Sequence, residues 1–432
     1  MTRDISTKKE KTPTATCAFC GSAKLTEVIN FGDVALAGGF LKKEAFATEK
    51  KYPLVIVFCD DCYAVQVRDH IDPKVLFATD FYFSSAIKTL RDHFADYASE
   101  VTGRFLPNPQ DATVIEFGSN DGVLLEPLAA QGIGRVIGVD PAKNIIETIK
   151  DPKLTLINDF FNVPTANAIV EKYGKADLVM ANNVFAHITD INGTTEGVRE
   201  ALKDDGVFIF EVHYLGKIIE GLQYDFIYHE HTYYYSLLAL ENHLSRHGMV
   251  IFDIKPISIH GGSIRFYAAK KGSRYAKNIS PSVEALRQQE KDLGYDKPET
   301  YKEFASRVAA KKQKLMTLLE SLRKKGRTVA GYGASGRANT IIQYCGITDK
   351  HLDFMIDDAP AKLGMYTPGS HLEIRNNQAL KADKPDYIVL FAWAFYEEIA
   401  AKCEDYLESG GRIIVPLPDV RITMYPTDDK DL

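Results

Sequence analysis

Between Glu211 and Ser236 the chain reads HYLGKIIEGLQYDFIYHEHTYYY, with Tyr224, Tyr228, His229, Glu230, His231 and Tyr233 close together. Phenol, imidazole and carboxyl groups at that density cover the acid, base and oxyanion-donor roles of proton-transfer chemistry. The order HEH is not H-E-x-x-H, which puts two histidines on one helical face around zinc, so a catalytic zinc is not expected. A separate set consists of two C-x-x-C pairs, Cys17 with Cys20 and Cys59 with Cys62. Four thiolates on two knuckles satisfy tetrahedral Zn2+ with no open position, which makes such a metal structural.

A third constellation is VIEFGSNDG, Val114 to Gly122, answered by Asp140 in VIGVDPA. Val114, Ile115 and Phe117 read as the end of a buried strand, and Gly118 to Gly122 as a turn into a helix beginning near Leu124. Gly118 and Gly122 let backbone approach a ligand without a Cβ in the way. Asp140, at the end of the next strand, suits the two hydroxyls of a ribose. A dinucleotide turn would read G-x-G-x-x-G, whereas here Glu116 precedes the glycines and would repel phosphate. An acid there fits a cationic nucleoside bearing an amino acid, and the stretch resembles the first motif of class I S-adenosylmethionine-dependent methyltransferases. Glu116, Gly118, Ser119, Asn120, Gly122 and Asp140 are its candidate cofactor-binding residues.

Secondary structure brings these groups together in chain order. From Val114 strands alternate with helices (RVIGVD, LTLIND, ADLVMANNV, GVFIFEV), which predicts a parallel sheet covered on both faces. Ligands of such sheets lie beyond the carboxyl ends of the strands. Asp159, Phe160 and Asn182 stand there, Asp159 suited to an adenine amino group and Phe160 to a ring face. His187, in NNVFAHITD, lies just past the fourth strand, within reach of a substrate beside the cofactor. SLLALENHLSRHGM, VIFDIKPISI and SIRFYAAK then predict a helix and two closing antiparallel strands. Before the sheet, apolar positions at Ile87, Leu90, Phe94, Tyr97 and Val101 predict an amphipathic helix, with Tyr82 at its entrance.

Two helices, SPSVEALRQQEKDLG and YKEFASRVAAKKQKLMTLLESLRKKG, precede a second strand, Gly-rich turn and helix in RTVAGYGASGRANTIIQYCG. Further strands in FMIDDAP, YIVLFAW and RIIVPLP predict a second small doubly wound domain. Gly331, Gly333 and Gly336 are placed for a phosphate-binding helix terminus, with Ser335 as hydroxyl donor and Arg337 and Lys362 as candidate counter-charges.

At 432 residues the chain can hold two or three domains. Charged residues make up 25% and hydrophobic ones 45%, values of an ordinary globular protein. A net charge of −6 argues against a nucleic-acid partner. No apolar run approaches the roughly 20 residues that span a bilayer. The polar start lacks the apolar core of a signal peptide, so no membrane partner and a cytoplasmic location are expected.

With these stretches together, the chain resembles the sugar C-methyltransferases that act on nucleotide-linked 4-keto deoxysugars, the tetronitrose and mycarose type. The four-cysteine module, VIEFGSNDG, YHEH at 228 to 231, HGGSIRFY at 260 to 267 and GYGASGRANT at 331 to 340 carry the resemblance. It implies S-adenosylmethionine and structural Zn2+ as cofactors, and methyl transfer to a ring carbon beside the ketone, usually C-3, of a dTDP-linked sugar. His231 is the matching base, with Tyr82, His187, Tyr228 and Glu230 as matching active-site groups. Ser263, Arg265, Gly331, Gly333, Ser335, Arg337 and Lys362 become candidate substrate-binding residues.

The expected architecture is α/β: a class I methyltransferase doubly wound sheet over residues 81–272, flanked by an N-terminal zinc-binding module (1–80) and a C-terminal Rossmann-like domain (273–432). Two other functions compete. An NAD-linked nucleotide-sugar oxidoreductase would use the second Gly-rich turn, with Asp357 or Asp358 as its ribose acid. A zinc-bearing nucleic-acid binder would use the knuckles, although Asp60 and Asp61 lie inside the second.

Overall fold

The computed structural model describes residues 16–77, 84–86 and 88–423. Tyr82 and Ile87 lie outside the described residues. The N-terminal sheet is built from β1 (Leu25–Ala35), β2 (Lys51–Cys59) and β3 (Val65–Val67), paired antiparallel. Residues 31–35 belong to β1, and residues 36–41 form a loop packed on the C-terminal part, where Asn339 Nδ2 donates to Ala37 O.

The central sheet holds β4 (Thr113–Phe117), β5 (Arg135–Val139), β6 (Leu154–Ile157), β7 (Ala176–Asn182) and β8 (Leu202–His213), all parallel. The short β9 (Tyr233–Tyr234), inside the tyrosine-rich insertion, leaves this sheet and pairs with β3. The N-terminal module is therefore completed by a strand from the middle of the chain. The closing strands are β10 (Met249–Ile257) and β11 (Ser263–Lys270). β11 inserts antiparallel between β8 and β10, giving the order β10-β11-β8-β7-β4-β5-β6. The central strands are apolar throughout because both faces are covered, with Val114, Ile115, Ile137 and Val179 essentially inaccessible.

The helix Lys88–Phe105 covers one face, burying Leu90, Phe94, Tyr97 and Val101 as its periodicity predicts. The helix Pro298–Lys324 buries Phe304, Val308, Leu315, Leu319 and Leu322, with Leu318 packed at the edge of the same core. The third sheet comprises β12 (Val329–Tyr332), β13 (Met355–Ile356), β14 (Ile374–Arg375), β15 (Tyr387–Leu390), β16 (Arg412–Val415) and β17 (Arg421–Thr423). Its order, β14-β13-β12-β15-β16-β17, is parallel except for β17 and reverses direction of growth beside β12. The Gly-rich turn after β12 thus stands at the topological switch point. No helix among the described residues is long and apolar enough to cross a membrane.

Candidate active site and metal centre

The four cysteine sulfurs lie within 4.8 Å of one another, with Cys17 and Cys62 at 3.5 Å and Cys20 and Cys59 at 3.6 Å. A tetrahedron of zinc–sulfur bonds about 2.3 Å long has edges near these lengths, so the donors fit Zn2+ in type, number and spacing. Each knuckle closes by a backbone bond, Gly21 N–H to Cys17 O and Tyr63 N–H to Cys59 O. Gly21 supplies the left-handed turn in the first (φ 76°), and Tyr63 adopts it in the second (φ 66°). The first knuckle also reaches outward. Phe19 packs on Tyr233 and His243 at centroid distances of 5.0 and 4.8 Å.

At the carboxyl ends of β4 and β5 the backbone folds into the expected cradle. Gly118 and Gly122 have φ of 66° and 81°, and a Cβ on Gly118 would collide with the Val184 side chain. Asp140 accepts the backbone N–H of Asn120 and of Ala142, each at 2.8 Å, so it pins the turn as well as facing it. Glu116 is buried and accepts from Asn182 Nδ2 at 3.0 Å. Burial pushes its carboxyl up to about 8, against the Asn182 hydrogen bond and with Asp140 and Glu211 adding repulsion. Glu116 Oε2, Ser119 Oγ and Asn182 Oδ1 are buried without a protein partner. Orphaned acceptors beside a cradle that a Cβ would fill suit a cationic nucleoside. Asp159 accepts from Thr165 Oγ1 at 3.1 Å, and Phe160 keeps an exposed ring at the sheet edge.

The insertion sorts its polar groups into two sets. Tyr224 and Tyr233 are buried packing residues, their hydroxyls on Cys345 Sγ and on Thr189 O. His229 turns toward the N-terminal module, its Nε2 3.3 Å from Pro53 O. Tyr228 turns onto His231, the Glu230 carboxyl faces Gly38, and the backbone of 230–232 lies against the loop after β7. There Thr232 N–H bonds Ala186 O, and His187 Nδ1–H donates to Glu230 O at 2.7 Å. The rings of His187 and His231 come to 4.9 Å.

His231 Nδ1 lies 2.7 Å from Phe226 O, and a carbonyl can only accept, so Nδ1 carries the proton. Nε2 is then the basic nitrogen, 2.8 Å from Tyr228 Oη, which donates to it. Burial, with help from His187, holds the imidazole well below its ordinary range and therefore neutral. Glu230 is pushed up by burial. Its Oε1 takes a long bond from Gly38 N–H, and its Oε2 has no protein partner. His187 has its Nδ1–H on Glu230 O, so it can donate from Nε2 only as imidazolium.

The remaining candidates lie on β11 and around the turn after β12. Arg265 is 2% exposed, ion-paired to Glu211 and Glu100 and stacked over Tyr97 at 3.2 Å. Ser263 donates to Ile259 O. Both are on the interior strand β11, where Ser263 pairs in register with His213 of β8 and Arg265 with Glu211. In the third sheet, Gly331 lets Met355 and Phe391 pack against β12, where a Cβ would collide with the Met355 sulfur. Gly333 turns the chain with φ 90°, and Ser335 caps the helix Gly336–Cys345 by accepting from Ala338 N–H. Lys362 donates to Ala334 O and pairs with Asp357. Arg337 pairs with Asp225 on the insertion. Sequence reading missed Asp225 and Trp393, because one stray acid and one tryptophan carry no spacing signal.

Strand order, cradle and strand-end acids together define an S-adenosylmethionine-dependent class I methyltransferase, and residues 90–253 match a family model described as a methyltransferase domain. Residues 258–418 match a C-methyltransferase C-terminal domain, and residues 17–77 a proposed zinc binding domain. The chain is 34% identical over 411 residues to C-methyltransferase NovU of Streptomyces niveus, covering 95% of this chain and 97% of that one. It belongs to that C-methyltransferase family. A ubiquinone biosynthesis O-methyltransferase of Bartonella quintana is 25% identical over 155 residues, 33% of this chain and 62% of its own. The solved magnesium protoporphyrin IX methyltransferase of Synechocystis overlaps 46% of this chain and 100% of its own at 14% identity, with a TM-score of 0.35.

Proposed function

We propose that the protein methylates C-3 of a dTDP-4-keto-6-deoxy sugar through an enolate, with His231 as the base. The observation that carries this reading is the fixed tautomer of His231, which presents a neutral, basic Nε2 beside a phenol. Hydrogen on carbon beside a ketone leaves only if the enolate oxygen is stabilised as it forms, so base and donor must act together. Tyr228 Oη covers the Nε2 lone pair. Turning that hydroxyl onto the ketone oxygen uncovers the base and supplies the donor in one motion. Nε2 then takes the C-3 proton while Phe226 O keeps the ring oriented, a gain of about 10²- to 10⁴-fold. Glu230, its carboxyl pushed up by burial, orients a neighbouring group or the sugar.

S-adenosylmethionine, when bound, supplies an electrophilic methyl group. Glu116, Gly118, Ser119, Asn120, Gly122, Asp140, Asp159, Phe160 and Asn182 would hold it. Holding both substrates in line supplies much of the remaining rate. The sugar nucleotide's phosphates fit the capped terminus at Ser335, on the turn of Gly331, Gly333 and Gly336. We also propose boundaries near 80 and 272 for the three parts, and a cytoplasmic location. Incubating the protein with dTDP-4-keto-6-deoxyglucose and S-adenosylmethionine tests the reading. A product one methyl heavier, with label at C-3, is expected; binding of NAD instead, or methylation on oxygen, would overturn it.

A further inference from the structure

We propose that Asp225, Arg337 and Trp393 form a clamp by which the C-terminal domain holds the base in register, Arg337 acting as a positioning residue for His231 and not as a phosphate ligand. The proposal rests on the reading of His231 as the base. Asp225 is completely buried on the insertion, and a single oxygen, Oδ2, accepts from Arg337 Nε at 2.8 Å and Trp393 Nε1 at 2.9 Å, with Arg337 Nη2 at 2.7 Å. Both donors come from the C-terminal domain. The Arg337 guanidinium also stands 3.9 Å over the ring of Phe226, the residue whose carbonyl receives the Nδ1–H of His231.

The grip continues along the helix Gly336–Cys345. Thr340 Oγ1 donates to Ile227 O at 3.1 Å, and Cys345 Sγ meets the Tyr224 hydroxyl. Four successive insertion residues, 224 to 227, are thus each held by one helix or its first turn. A carbonyl held this firmly fixes both the tautomer and the plane of the imidazole that bonds to it. A buried carboxylate with two charge-assisted donors keeps one geometry, because losing either leaves it uncompensated.

A phosphate ligand and a positioning residue fail in different kinetic terms. In Arg337→Gln the clamp predicts that kcat falls by about 10- to 100-fold, the size expected of a base displaced by about 1 Å. KM for dTDP-4-keto-6-deoxyglucose stays within about twofold, since no ground-state contact is lost. Replacing Asp225 as well, in Asp225→Asn with Arg337→Gln, removes the stranded carboxylate and recovers part of kcat. Heteronuclear NMR of the histidine ring nitrogens reads the same device with no substrate present. Wild type shows His231 protonated at Nδ1, and Arg337→Gln shows a mixture of tautomers. If Arg337→Gln proves unfolded by circular dichroism, Trp393→Phe, which removes one donor only, is measured in its place. A raised KM with kcat unchanged, or an unaltered His231 tautomer, overturns the proposal. If wild type leaves that sugar nucleotide unmethylated, the substrate reading fails and the tautomer measurement alone decides the clamp.

Discussion

Tyr228 Oη and His231 Nε2 stand 2.8 Å apart, and the phenol is the donor, because the other ring nitrogen has its proton on Phe226 O. In the proposed reaction the pair is a base stored under a hydrogen bond. Tyr228→Phe uncovers Nε2 but removes the enolate donor, so kcat should fall by about 10²- to 10³-fold, the usual loss for one oxyanion donor. Affinity for S-adenosylmethionine, measured by calorimetry, should not change. Equal loss of both would mean that Tyr228 supports the fold instead.

His231 is held well below its ordinary range, chiefly by burial. An imidazole depressed in the folded state is fully neutral above its unfolded value near 6.5 and protonates only when pH falls well below it. The acid limb of the kcat profile should therefore lie well below the ordinary imidazole range. A limb at the ordinary imidazole value would place the base in a more open site.

Gly118 has φ of 66° and Val184 directly above the place of a Cβ. Gly118→Ala should cost about 1–3 kcal/mol in thermal stability through overpacking and should weaken S-adenosylmethionine binding. Val184→Ala in the same chain should return part of both. Binding left at the wild-type level by Gly118→Ala alone would move the cofactor away from this turn.

These local features were the legible part of the sequence. Turn glycines and strand-end acids depend on neighbours in the chain, so the turn after β4 and the acid at the end of β5 were legible in VIEFGSNDG and Asp140, and resemblance to a family motif supplied the cofactor. The knuckles were legible for the same reason. What stayed hidden depends on distant partners. Arg265 finds Glu211 across 54 positions and Arg337 finds Asp225 across 112, pairings that no local spacing announces. β9 was hidden because two residues carry no alternation, and only its register with Val65 and Gln66 makes it a strand. The split of the insertion into packing tyrosines and the Tyr228–His231 pair was equally out of reach, since phenols look alike until their burial is known.

Burial raises the Glu116 carboxyl to about 8, whereas a cation beside it favours the carboxylate. Binding S-adenosylmethionine near pH 7 should therefore release up to one proton, and at about pH 10 almost none. Calorimetry in buffers of different ionisation enthalpy reads the difference. The fold itself shows the opposite sign: a raised carboxyl stabilises at low pH, and that contribution is lost as pH rises through about 8. Proton uptake on binding would contradict the placement of Glu116 beside the cofactor.

The metal centre should matter to the base as well as to its own module. Phe19 lies one residue from the knuckle's Cys20 and packs on Tyr233, while β3 pairs with β9 just after His231. Cys59→Ser should lose the metal and lower kcat, because zinc is worth about 10–16 kcal/mol in isolated fingers and holds this sheet together. S-adenosylmethionine binding should survive, since β4 and β5 belong to another sheet. Full metal content in Cys59→Ser by elemental analysis would refute the four-sulfur assignment.

One proton decides the mechanism. In deuterated water, with S-adenosylhomocysteine in place of the methyl donor, the wild-type protein should exchange the C-3 hydrogen of dTDP-4-keto-6-deoxyglucose, and His231→Asn should not. Exchange at the wild-type rate in His231→Asn would place the base on another residue.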